Sequence, residues 1–147
     1  MRRELKIKEL NNTEKLMDKA INALEYSYSK AKNINLDEGL DLDNQEVFEA
    51  FTSRYARLCD IFTQKYLKTF FLLLGENKRT IIDKANYLEK LGIASGEDLI
   101  EICDLRNEVA HEYVEEELIE LYRDVLELSG KLVEIIRTTE RYLADNI

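Results

Sequence analysis

The sequence contains no proline and no tryptophan, and only five glycines, two cysteines and one histidine in 147 residues. With so few chain-reversing residues, a sandwich or barrel of many short strands is hard to build, because each hairpin calls for Gly, Pro or Asn-Gly chemistry. Long helices are what remains. Long apolar runs are missing too: the longest, Phe70 to Leu74, has five residues, against the roughly 20 that a membrane-spanning helix needs. The amino terminus, Met1-Arg2-Arg3-Glu4-Leu5-Lys6, develops no apolar stretch with a small-residue cleavage site, so the expected location is the cytoplasm. Cys59 and Cys103 have no neighbouring ligand residues at metal spacing and read as reduced, buried thiols. Positive charge is in deficit, with 21 Lys and Arg against 30 Asp and Glu and a net charge of −9. That balance argues against a broad electrostatic nucleic-acid binder, while leaving room for a small basic cleft.

What the sequence does have is helical periodicity over one domain, residues 1–147. Leu16, Ala20, Ala23, Leu24 and Ala31 predict a first helix from Thr13 to about Lys32. Asn33 to Asn44 contains Gly39 and the acids Asp37, Glu38, Asp41 and Asp43 without a period, and reads as a solvated loop. Its Asp-x-Asp pair lacks the Gly and Glu of a calcium loop. Phe48, Phe51, Tyr55, Leu58, Phe62, Tyr66 and Phe70, three or four apart, predict a second helix from about Glu46 to Leu74, closed by Gly75. Arg54, Arg57, Lys65 and Lys68 on that helix read as a solvated face, and would meet phosphate only if they border a cleft. A shorter helix spans about Arg79 to Leu91, with Ile81, Ile82, Ala85, Leu88 and Leu91 on one side. A fourth helix opens at Ser95 or Gly96 with the row Leu99, Ile102, position 106, Val109 and position 113. The last, Val114 to about Leu143, carries the heptad seam Val114, Leu118, Leu121, Val125, Leu128, Leu132 and Ile135, with Glu115, Glu116 and Glu117 favourably placed in its first turn. The expected architecture is all-α, an antiparallel bundle of four long helices and one shorter one.

Position 106 is an arginine in a core-facing row, so it must reach out along its stem or find an anionic partner. The sole histidine, His111, follows in Arg106-Asn107-Glu108-Val109-Ala110-His111-Glu112-Tyr113. On a continuous helix residues five apart diverge by about 140°, so Arg106 and His111 meet only if the helix breaks, and Glu112 to Glu116 is the candidate turn. Such a junction gathers groups suited to RNA cleavage: His111 to deprotonate a ribose 2′-hydroxyl, Arg106 to neutralise the developing phosphorane, and Asn107 to orient a phosphate oxygen. This chemistry needs no metal and no other cofactor. The second and fifth helices carry apolar faces wider than one core should need, and each chain has one proton-transfer group, so a homodimer is expected.

The string Arg-x4-His, with Asn directly after Arg and Tyr two places after His, resembles the HEPN superfamily and more narrowly its HepT-like toxins. The helix order from about Thr13 to Leu143 resembles that domain as well. The resemblance implies a HEPN-like bundle acting as a metal-independent endoribonuclease toxin, with two motifs facing each other across a homodimer to form an RNA cleft. It also implies pairing with an MNT-type nucleotidyltransferase antitoxin that attaches AMP to the motif tyrosine, by position Tyr113. HEPN domains also serve as accessory subunits, so the alternative is a non-catalytic substrate-binding or regulatory partner of a nucleotidyltransferase.

Overall fold

In the computed structural model, which describes residues 2–147, the chain folds as an all-helical bundle, with no strand among the described residues. The first helix, α1 (Arg3–Ala31), starts ten residues before the predicted position. Thr13 does not cap it; its hydroxyl donates to the Glu9 carbonyl at 3.0 Å, one turn back within the helix. The added turns are held because Leu10 is fully buried and Lys6 reaches the Leu72 carbonyl.

The acidic loop is more ordered than its composition suggests. A 3-10 turn, Leu36–Glu38, is capped by the Asn35 side chain and buries Leu36, and Gly39 follows at φ +86°. Asp41 is a helix cap: its Oδ1 accepts the Asn44 N–H at 2.8 Å, so the second helix begins at Leu42, before the predicted Glu46.

That second helix, α2, runs over residues 42–73. Its α-helical stretches, Leu42–Asp60 and Leu67–Leu73, flank a π-helical turn, Ile61–Tyr66. Leu67 donates to the Phe62 carbonyl, five residues back. The wider turn corrects the angular drift of residues four apart and lines up Phe62, Tyr66 and Phe70, whose rings stack at 6.1 and 6.2 Å.

Phe48, Phe51, Tyr55, Phe62, Tyr66, Phe70 and Phe71 of α2 are all fully buried, and this aromatic column touches every other helix. Phe51 meets Tyr28 of α1. Phe71 meets Tyr87 of α3 (Ile81–Lys90) edge-on, and the Tyr55 hydroxyl donates to the Ile102 carbonyl of α4 (Gly96–Glu108) at 2.8 Å. Phe48 stacks on Tyr122 of α5 (Glu115–Asn146) at 4.5 Å.

Other boundaries shift for local reasons. Thr80 caps α3 by accepting the Asp83 N–H, and Ile82, expected on the packed side, is exposed. On α5 the seam from Leu121 to Ile135 is buried, whereas Val114 precedes the helix as an exposed N-cap residue and Leu118 is half-buried. The aromatic face of α2 is consumed within a single chain, whereas on α5 Ile119, Leu126 and Val133 stay half-buried.

Lys84 of α3 is buried, and its ammonium donates to the Thr63 carbonyl in the π turn at 2.9 Å. Desolvation pulls its pKa below the usual lysine value. Replacing it with methionine keeps the stem and removes the charge-assisted bond. Lys84→Met is expected to cost about 1–3 kcal/mol, read as a fall of several degrees in Tm by circular dichroism; an unchanged Tm would mean that the π turn does not rely on this contact.

Candidate functional site

The helix break that would let the motif residues gather is present, but it comes earlier than Glu112. Helix α4 ends at Glu108, Val109 is its C-cap, and residues 109–114 form the connection to α5. The His111 N–H closes a turn on the Glu108 carbonyl at 3.1 Å. Tyr113 therefore does not continue the Leu99 and Ile102 row; its ring packs half-buried at the margin of the core.

The arginine finds its partner on α2. Arg106 Nε and Nη2 donate to Asp60 Oδ1 and Oδ2 at 2.8 and 2.9 Å, a two-pronged pair that raises the guanidinium pKa further above its ordinary value. Asp60 escaped the sequence reading although a signal existed. It is the only carboxylate on α2 between Glu49 and Glu76, and a core-facing arginine demands one.

The motif residues divide between openings. Arg106, with Val109 and Ala110, closes one end of a groove of about 980 Å³ between α1, α2 and the end of α4. Its floor is apolar and small, with Leu16, Ala20, Ala23 and Ala56, and its walls carry Lys19, Arg54, Arg57 and Lys65. Among the described residues, none of those four cations pairs with a carboxylate. Arg54, Arg57 and Lys65 thus border a cleft rather than a plain solvated face, whereas Lys68 lies outside it. Lys19 of α1 joins them, unforeseen because the groove is made only when α1 packs on α2.

His111 and Asn107 are exposed. Among the described residues the only side-chain partner of His111 is Tyr113, whose Oη lies 3.4 Å from Nδ1, with none at Nε2. Tyr113 faces a different hollow, with Glu108, Glu116, Glu117, Glu120 and Asp124. Desolvation, then Glu108 and Glu117, push its phenol pKa up. The fold of one chain thus joins His111 to Tyr113 and Arg106 to Asp60, and makes no hydrogen bond between the two pairs. Cys59 and Cys103 are free and buried, as expected.

Compared with models of known protein families, with curated proteins and with solved structures, the chain has no significant match.

The side chains of Arg106 and Asp60 are 29% and 34% exposed, which screens their attraction. A double-mutant cycle with Arg106→Gln and Asp60→Asn is expected to give a coupling of about 1 kcal/mol in denaturant unfolding. Additive effects would show that the pair contributes nothing to stability.

Proposed function

We propose that this chain is a metal-independent endoribonuclease toxin of the HepT type within the HEPN superfamily. The observation that carries the reading is the basic groove ending at Arg106. In a chain of net charge −9, it supplies the local positive field that a polyanion requires. Phosphates lie along Arg54, Arg57, Lys65 and Lys19, and the scissile phosphate sits at Arg106, whose Nη1 makes no protein hydrogen bond while Asp60 holds the other edge. Asp60 acts here as a positioning residue. His111 Nε2 takes the proton of the ribose 2′-hydroxyl, the 2′-oxygen attacks phosphorus, and the bond from phosphorus to the 5′-oxygen breaks, leaving a 2′,3′-cyclic phosphate while the 5′-oxygen takes a proton from water. Arg106 stabilises the charge that develops on the phosphorane, and Asn107 orients a phosphate oxygen.

The active form is a homodimer, because within one chain Arg106 is bound to Asp60 and His111 to Tyr113, with no hydrogen bond joining the two pairs. A second copy supplies the facing motif. The reading as a non-catalytic subunit of a nucleotidyltransferase has its own support in the acidic hollow around Tyr113, which repels phosphate and suits a basic protein surface. Cleavage separates the two. His111→Ala is expected to abolish RNA cleavage measured with chelator present, at unchanged helical signal. Cleavage that survives the substitution, or wild-type activity that disappears with chelator, would refute the mechanism.

Regulation falls to Tyr113 and an MNT-type antitoxin. AMP on its hydroxyl places a phosphate and a nucleoside next to His111, blocking the base by volume and charge. Because desolvation, with Glu108 and Glu117, disfavours the phenolate, the partner enzyme provides the base. Incubated with ATP, magnesium and that enzyme, the wild-type chain is expected to gain the mass of one AMP and Tyr113→Phe none. An equal gain by both would put the modification elsewhere.

A further inference from the structure

Arg54 differs from the other groove cations in being fixed. Its Nη1 donates to Ser27 Oγ at 2.7 Å and to the Ala23 carbonyl at 3.2 Å, and Ser27 is only 3% exposed. Both acceptors are neutral, so the bonds orient the guanidinium without cancelling its charge. Arg106, Arg123 and Arg137, by contrast, each face a carboxylate. An oriented, uncancelled guanidinium on a groove wall is a receptor for an anion with oxygens to share.

Arg54 also lines the next opening. Beyond it lies a smaller hollow of about 260 Å³ that includes Tyr26 and Lys30, with Asp43 and Glu46 across from them on α2. The Tyr26 ring is 58% exposed, with the Lys30 ammonium 4.7 Å and the Arg54 guanidinium 5.9 Å from its centroid. An aromatic ring left in water beside two cations adds little to the core. Aromatic faces set beside a basic track are how proteins hold single-stranded nucleic acid.

We propose that Tyr26, Arg54 and Lys30 form a flanking-nucleotide subsite, in which a base stacks on Tyr26 and the adjoining phosphate is held by Arg54 and Lys30. The inference rests on the endoribonuclease reading for its natural ligand and extends it to the kind of RNA taken, an unpaired strand. Residues 54 and 60 are six positions apart on α2, about 9 Å along its axis. The subsite therefore lies two to three stacked nucleotides, at about 3.4 Å each, from the phosphate at Arg106. Asp43 and Glu46 repel phosphate and keep it on the Arg54 side. A strand that fills both places must expose its bases, which a duplex does not.

The test uses the full chain and a short fluorescein-labelled oligodeoxythymidine, which lacks the 2′-hydroxyl and is not cleaved. By anisotropy, Tyr26→Ala is expected to weaken binding about tenfold, Tyr26→Phe to bind as wild type, and abasic residues in the probe to erase the difference between Ala and Tyr. Arg54→Gln should lower the slope of log affinity against log salt by about 0.7, the share of one phosphate on a single strand. Arg54→Lys, which keeps the charge, should retain that slope. Binding within twofold of wild type for Tyr26→Ala, no binding of the probe by the wild-type chain, or equal displacement of the probe by polyglutamate would each overturn the subsite. Wild-type RNA cleavage without any Tyr26 effect would remove the subsite and leave the nuclease. Tyr26-dependent binding without any cleavage would remove the nuclease and leave a single-strand binder.

Discussion

Everything else in this fold is arranged around the burial of one aromatic column. Seven large rings on α2 lose all contact with water, and each such ring is worth on the order of a few kcal/mol only if something packs against it. Covering them takes α1 on one side, α3 and α4 on another and α5 along the remaining flank. A helix enclosed on so many sides keeps only a narrow strip for charge. Arg54, Arg57, Asp60 and Lys65 occupy that strip, and the groove is what lies above it. The candidate site is thus a consequence of core packing: the strip left uncovered is the strip that carries the cations.

The same arrangement sorts the charges of an acidic protein. Net charge describes the average field at a distance, whereas a ligand in a groove responds to the groups within a Debye length, roughly 8 Å at physiological salt. Among the residues that line the groove, the charged ones are cations with Asp60 as the one acid, already committed to Arg106. On the α4–α5 side Glu97, Glu101, Asp104, Glu108 and Asp124 border one hollow, and desolvation, followed by the charges of Glu120, Glu127, Glu108 and Glu101, raises the Asp124 pKa. The two faces thus differ in the sign of their local charge, and the net charge of the chain describes neither.

Most of the bundle was legible because three-to-four spacing of apolar residues is imposed by the helix itself. All seven positions named on α2 are buried, as are Leu99, Ile102 and the α5 seam from Leu121 onward. What escaped depended on contacts across the chain or on local polar geometry. Thr13, where the apolar spacing starts the first helix, is a mid-helix residue; Asp41 looks like a solvated acid and is a cap. Both choices turn on where one side-chain oxygen points, which spacing does not encode. Position 106 announced the need for an anion, and Asp60 could have been named from the scarcity of acids on α2. The absence of a hydrogen bond between Arg106 and His111 was not legible, since it depends on the helix ending at Glu108 and on the path of the six residues after it.

The π turn adds an arithmetic of its own. A π turn is an α-helix holding one residue more than its hydrogen-bond ladder requires, so α2 behaves as two helical segments joined through a one-residue insertion. Substitution within it alters a side chain; loss of a single residue would return the ladder to α and leave the segments on either side facing nearly as they do, because the wider turn already absorbs the extra residue. Phe70 and Phe71 would keep their places in the column, and Arg54 and Arg57 theirs on the groove. Residues 61–66 are thus the one stretch of α2 where the chain could shorten by a residue without turning its far end away from the core.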